Sequence, residues 1–353
     1  MLINLAYILS KPTGTTAYAL NLLPHLNLLN PTYLATLNSG LDNYYPVPAN
    51  MTAEYGMAGH MRRLLWTQFQ LPKQYHQLKA NFLFSPITEA PLWSGCRFVV
   101  TVHDLTPLRF PQYFSSLKWL YRYYTPRVLA QAAHIICNSE ATAADIVQFY
   151  GVSAAKITPI LLAYDADHFK PVAASPQNYF LVLGRHVPYK NVSGAIAAFA
   201  KLPKAKQYEL WIAGPIDPRY TPLLKQQVVE CHLQTQVRFL DYVPYEDLPL
   251  LLSQAIALVF PSLWEGFGLP VLEAMACGTP VISSNLSSLP EVAGDAAILV
   301  DPYDRNAITV AMQSVANNGQ LRQKLRTAGL ERAKLFTWQR TGQQTVEVLK
   351  QFL

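Results

Sequence analysis

From Tyr179 onward the chain alternates short β-branched apolar runs with stretches of helical pattern, and this alternation constrains the fold more than any other feature. Strands covered on both faces read as unbroken apolar runs, and linking them through helices makes a parallel sheet. We assign strands to Tyr179 to Leu183, Leu210 to Ala213, Val237 to Leu240, Ala257 to Pro261, Pro280 to Ser283 and Ala297 to Val300. Helices are expected at Val192 to Ala200, Pro222 to Glu230, Pro270 to Cys277 and Arg305 to Val315. Each strand runs into a turn rich in Gly, Pro or Ser, and such sheets bind ligands at the carboxyl ends of their strands.

The first half repeats the pattern less regularly, with strands near Leu2 to Leu9, Tyr33 to Leu37, Phe82 to Phe84, Phe98 to Val102, Ile135 to Cys137 and Ile157 to Ile160. Tyr164 to Asn178, with its prolines, alanines and polar residues, suits a linker. At 353 residues the chain exceeds what one core usually serves. Two α/β domains are therefore expected, 1–172 and 173–336, with the helical stretch 337–353 free to pack back on the first. A content of 51% hydrophobic and 14% charged residues excludes a disordered chain. Cys96, Cys137, Cys231 and Cys277 are scattered without zinc or redox spacing, which suits a reducing cytoplasm.

Met1 to Ser10 is apolar but lacks a basic leader and a small-residue cleavage site, so it reads as a first buried strand. Leu248 to Trp264 is charge-poor, but Ser253, Gln254 and Pro261 keep it short of a membrane span. A soluble, cytoplasmic protein is expected. The net charge of +6 favours anionic partners such as nucleotides or phospholipid head groups. No nucleic-acid module accompanies it, so nucleic acid is not expected as a partner.

Glu265-Gly-Phe-Gly-Leu-Pro-Val-Leu-Glu273, directly after a strand, carries the most chemistry. Pro270 fits the first turn of a helix, where its missing N–H costs nothing. Glu265 then lies in the turn and Glu273 about one turn into the helix, flanking a start whose free N–H groups and positive dipole end favour phosphate. Gly266 and Gly268 allow main chain to approach a ligand closely. Amides for phosphate and carboxylates for ribose and sugar hydroxyls together suit a nucleotide sugar.

The segment Pro261-Ser-Leu-Trp-Glu-Gly-Phe-Gly-Leu-Pro-Val-Leu-Glu-Ala-Met-Ala-Cys-Gly-Thr-Pro280 resembles the signature of glycosyltransferase family 4. The likeness extends to Leu289-Pro-Glu-Val-Ala-Gly-Asp295, Gly184-Arg-His-Val-Pro-Tyr-Lys190, Val102-His-Asp-Leu-Thr-Pro107 and Asn138-Ser-Glu-Ala-Thr142, and is weaker before residue 95. It implies the GT-B fold, two Rossmann-like domains facing each other across a cleft, with donor bound after about residue 175 and acceptor before about 170. It further implies a retaining hexosyltransferase that needs no cofactor and no metal. Glu273 would then bind the donor ribose, and Glu265 hydroxyls of the transferred sugar. Main chain of Gly266, Phe267, Gly268 and Leu269 would meet phosphate and sugar, while Arg185 and Lys190 would hold the pyrophosphate. His103 would line the cleft near the sugar. Gly14 and Thr15, after the first strand, would close over the donor phosphate, although many relatives carry two glycines in that loop. Members that resemble this chain build cell-surface polysaccharides or glycolipids, often from GDP-mannose; a UDP-sugar is the other donor considered.

Asp165-Ala-Asp167 followed by His168 has the look of a metal set, but it falls in the linker, and Arg185 and Lys190 already supply positive charge. From Tyr55 to Thr88 there is no acid, while Arg62, Arg63, Lys73 and Lys79 alternate with Trp66, Phe69 and Tyr75. With Lys118-Trp-Leu-Tyr-Arg-Tyr-Tyr124, this stretch reads either as a face for an anionic membrane or as a solvated basic face over core aromatics. Two other functions share the cleft, a GT-B epimerase or hydrolase of nucleotide sugars and a binding protein without turnover. A nicotinamide-dependent dehydrogenase is disfavoured because no Gly-x-Gly-x-x-Gly follows any strand.

Overall fold

The computed structural model describes residues 1–9, 14–36, 41, 43–113, 118–203 and 207–353. They divide into two compact units, Met1–Leu162 with Trp338–Leu353, and Ala163–Thr337.

The first unit is built on β1 (Leu2–Leu5), β2 (Thr32–Ala35), β3 (Tyr44–Pro46), β4 (Leu83–Ser85), β5 (Phe98–Val102), β6 (His134–Cys137) and β7 (Ile157–Pro159). Their order is β3-β2-β1-β4-β5-β6-β7, with every pair parallel. β1, β4 and β5 are buried along their whole length, as apolar runs covered by helices on both faces should be. β3 is an edge strand of half-buried residues ending in Pro46, and an edge is where a missing N–H is tolerated.

The second unit holds β8 (Tyr179–Leu183), β9 (Glu209–Ala213), β10 (Val237–Asp241), β11 (Ala257–Phe260), β12 (Val281–Ser284) and β13 (Ile298–Val300). The order is β10-β9-β8-β11-β12-β13, again parallel throughout. The chain builds outward from β8 through β9 to β10, then restarts on the other side of β8 with β11. Connections leaving β8 and β11 therefore diverge and open a crevice at the carboxyl ends of these two strands. β1 and β4 stand in the same relation in the first unit.

Local signals place the helices. Ser139 accepts the Thr142 N–H at 3.0 Å at the start of Glu140–Tyr150, and Gly151 closes that helix in the left-handed region. Asp304 caps Arg305–Asn317, and Asn318 caps Gly319–Ala333. The helix Trp338–Lys350 packs on Gly14–Leu26, where Gly342 lies so near His25 that a Cβ would meet its ring at 2.2 Å. The Thr341 hydroxyl donates to the Leu161 carbonyl at 2.8 Å, and Phe352 stacks on Phe82. The last segment thus completes the first unit. No described helix is long and apolar enough to cross a membrane.

Candidate active site

In the second unit the crevice between β8 and β11 is lined by the turns 184–190 and 261–268, tied together where the Leu263 N–H donates to the Tyr189 carbonyl at 2.8 Å. The helix Leu269–Ala276 begins with Gly268 before it at φ 107°, and a Cβ there would come within 2.6 Å of Leu289 Cδ2. Both the backbone angle and the space demand glycine. Ser287 Oγ accepts the Glu265 N–H at 3.1 Å, while the Ser288 hydroxyl donates to the carbonyls of Phe267 at 2.7 Å and Glu265 at 3.1 Å. The Phe267 side chain is buried, edge-on to Phe336.

Lys190 and Glu265 meet directly. The ammonium donates to both carboxylate oxygens, at 2.6 and 2.7 Å, with little of either side chain exposed. Lys190 Nζ also lies 5.5 Å from the centre of the Phe260 ring. Asn191 holds the two turns together, donating to the carbonyls of Pro261 at 3.1 Å and Pro302 at 2.7 Å. Arg185 stands apart from this pair. It is exposed on its turn, and among the described residues its guanidinium makes no hydrogen bond or ion pair.

Glu273 sits one turn inside the helix, with no hydrogen bond or ion pair to its carboxylate among the described residues. Its side chain retains some surface, yet desolvation by the surrounding protein pushes its carboxyl up to about 7. An ordinary surface glutamate would have no reason to shift so far. Perturbed carboxyls of this kind concentrate at ligand sites.

Asp165, Asp167 and His168 have structural uses. Asp165 Oδ1 accepts the N–H groups of Asp167 and His168, each at 3.2 Å, and His168 stacks on Tyr245 with ring centres 3.9 Å apart. Among the described residues no three His, Cys, Asp or Glu side chains converge as a metal set.

In the first unit, the turns after β1, β4 and β5 border a cavity of about 410 Å³. His103 lines it at the end of β5. Its Nε2 lies 2.8 Å from the Pro86 carbonyl, which can only accept, so Nε2 carries the proton and Nδ1 is left as an acceptor. Burial lowers its pKa, so the ring is neutral at physiological pH. Asp104 accepts the Thr106 N–H at 3.0 Å and caps the turn that follows. Gly14 begins its helix without a positive φ, and a Cβ there would meet nothing within 4 Å. Thr15 lines the cavity, and its carbonyl receives the Tyr7 hydroxyl at 3.5 Å.

Arg63, read from sequence as part of a basic face, is 4% exposed instead. It forms a bidentate pair with Glu89, both contacts at 2.7 Å, and also donates to His60 Nδ1 at 2.9 Å and the Met51 carbonyl at 3.1 Å. Trp66 and Tyr75 are buried too. Residues missed by sequence reasoning are thus His60, Glu89, Asn191, Ser287 and Ser288. The Ser-Ser pair before Leu289-Pro was a legible helix-start signal; Glu89, the first acid after a long acid-free stretch, gave only a faint one.

Residues 13–168 match the family Glycosyltransferase Family 4, and residues 164–332 match Glycosyl transferases group 1. O-antigen chain mannosyltransferase B of Escherichia coli is 33% identical over 268 residues, covering 72% of this chain and 70% of that one. The O-antigen chain mannosyltransferase RfbU of Salmonella typhimurium is 34% identical over 61% of this chain and 60% of its own length. Among solved structures, sucrose-phosphate synthase from Thermosynechococcus elongatus gives a TM-score of 0.76 at 22% identity, covering 99% of this chain and 98% of that one. Anabaena HepE, solved with UDP and glucose, gives 0.76 at 18% identity, covering 99% of this chain and 100% of that one. The fold they share with this chain is GT-B.

Proposed function

The chain belongs to glycosyltransferase family 4, and on that premise we propose that it moves a hexosyl group, with retention, from a nucleotide-sugar donor to a glycan or lipid-linked acceptor. The observation that carries this reading is the group at the β8–β11 crevice, where the Lys190–Glu265 pair and the unpartnered Glu273 surround one helix start. Lys190 and Arg185 supply the charge that a departing diphosphate requires, Glu265 accepts hydrogen bonds from sugar hydroxyls, and Glu273 accepts them from the ribose. One cation about 4 Å from a developing charge contributes about 4 kcal/mol at an effective dielectric near 20. We therefore propose a reaction without a metal, in which added chelator leaves the rate unchanged. His103, neutral and with a bare Nδ1, faces the cavity of the first unit as a hydrogen-bond acceptor for a reacting sugar.

We read the donor as a mannosyl nucleotide, GDP-mannose, because relatives are named as O-antigen mannosyltransferases, and the neighbour solved with UDP and glucose keeps UDP-sugars in view. Thermal stabilisation by a panel of UDP-, GDP- and ADP-sugars tests the reading, because a ligand bound only by the folded state raises Tm. Stabilisation by none of them would refute it. Diphosphate release that needs an acceptor separates a transferase from an epimerase, a hydrolase and a protein that binds without turnover.

Glu273 makes this reading depend on pH. Its folded pKa, about 7, lies above its ordinary value, so the free protein holds an extra proton between roughly pH 4.5 and 7 and loses stability at this group as pH rises through that window. Ribose hydroxyls donate to the ionised form, so donor affinity should rise with pH and level off above about 7. Calorimetry at pH 6 in two buffers of different ionisation enthalpy should register proton release on binding. Glu273→Gln should abolish that release, and Glu273→Ala should weaken donor binding by about 1.5–3 kcal/mol. Buffer-independent heats in the wild type would sink the role.

A peripheral membrane contact is also proposed. On the helix Gly56–Phe69, Met57, Met61, Leu65 and Phe69 recur every fourth residue and are all at least half exposed, with Arg62 beside them. Trp119 and Tyr123 are exposed, each next in sequence to a cation, Lys118 and Arg122, in the same unit. Apolar side chains flanked by cations suit the interface of an anionic bilayer. Co-sedimentation with anionic vesicles should be strong at low salt, weaker at moderate salt, and lost in Leu65→Glu; no binding at either salt level would remove this contact.

A further inference from the structure

We propose that the 410 Å³ cavity of the first unit takes an uncharged, hydroxyl-bearing pyranose as the acceptor residue and turns anionic sugars away, an inference that rests on the transferase reading. Its place supports a binding role, since it lies at the carboxyl ends of β1, β4 and β5, where this sheet reverses its strand order. Its volume falls in the range of roughly 300–1,000 Å³ usual for small-molecule sites.

The selectivity comes from charge and from fixed tautomers. Arg63 is the one cationic side chain among the described residues lining the cavity, and its guanidinium is committed to Glu89, His60 and the Met51 carbonyl. Glu89 and Asp104 line the same space, so among the described residues the lining carries one carboxylate more than it has cations. An entering phosphate or carboxylate would face both acids and could gain Arg63 only by breaking a buried pair. A neutral hydroxyl meets complementary groups. Arg63 can only donate, so His60 Nδ1 must accept from it, which leaves the proton on Nε2 as a donor. Burial and the neighbouring guanidinium both lower the His60 pKa, keeping the ring neutral. His103 presents the opposite polarity, with Nδ1 as acceptor. A hydroxyl both donates and accepts, so a sugar offers a partner to either ring, both of which line the cavity. Ile87, Leu120 and the Tyr121 ring supply apolar wall for the C–H faces of a pyranose.

The test titrates the intact protein, with a nucleoside diphosphate present, against methyl glycosides of mannose, glucose and galactose and against the corresponding 6-phosphates, followed by saturation-transfer NMR. At least one methyl glycoside should bind, and its 6-phosphate should bind about tenfold more weakly or worse. His60→Ala should weaken the neutral sugar by about tenfold, and His60→Gln, which keeps an N–H donor, should recover most of that loss. Equal or tighter binding of the phosphates, no binding of any neutral glycoside, or an indifferent His60→Ala would overturn the inference. Nucleotide-sugar stabilisation measured on the same samples separates the failures. Without it the transferase reading falls; with it, only the acceptor selectivity does.

Discussion

Lys190→Ala is expected to lower kcat about 10²–10³-fold, the usual cost of removing one preorganised group that stabilises developing charge. The sugar–phosphate bond breaks heterolytically, so negative charge on the diphosphate is larger in the transition state than in the bound donor. An ammonium at the crevice therefore contributes more to kcat than to donor affinity. Its pairing with Glu265 at 2.6 Å fixes its position before the donor arrives, so little reorganisation remains for the reaction itself. Lys190→Arg should recover little, because a guanidinium can still pair with both Glu265 oxygens but is too broad to place its charge where the compact ammonium sits beside the Phe260 ring. Steady-state kinetics decides the matter. A fall in kcat of less than about tenfold, with KM carrying the rest, would show that Lys190 only binds the ground state.

Glu89→Ala should destabilise the first unit by about 3–5 kcal/mol, the cost of leaving one partner of a buried pair without its counter-charge. Arg63 is 4% exposed, and its remaining contacts, to His60 and the Met51 carbonyl, carry no negative charge. The combined change Arg63→Met with Glu89→Leu should cost far less, since it removes both charges and refills the space. Urea unfolding read from a probe in the first unit measures both proteins. Equal losses would mean that the ion pair matters only through its volume.

Much of this architecture is legible in the residues. β8 and β11 are continuous apolar runs because helices cover both faces, and the Gly-x-Gly turn with its two glutamates follows directly from a strand end. β3 escapes notice because an edge strand of half-buried residues lacks that apolar signal. The helix Gly319–Ala333 is mostly polar, and it is held by the Asn318 cap and by Gly329 fitting closely against Met275, neither of which follows from periodicity. Arg63 is the sharpest case. By composition it belongs with Arg62 on a solvated face, but one step along the helix turns it inward, and Glu89, 26 residues away, reaches it only through the crossing of β4. Long-range pairing of this kind leaves no local pattern.

The route of the chain through its two units bears on how the protein is made. Residues 163–337 are contiguous, so the second unit has all of its parts once Thr337 has left the ribosome. The first unit, although most of it precedes the second in the chain, still lacks the helix Trp338–Lys350 that covers Gly14–Leu26. Apolar surface on the earliest helix must therefore wait through most of translation for its partner, at the usual rate of about 5–20 residues per second. A chain truncated after Thr337 should present a finished second unit and a first unit that chaperones still bind.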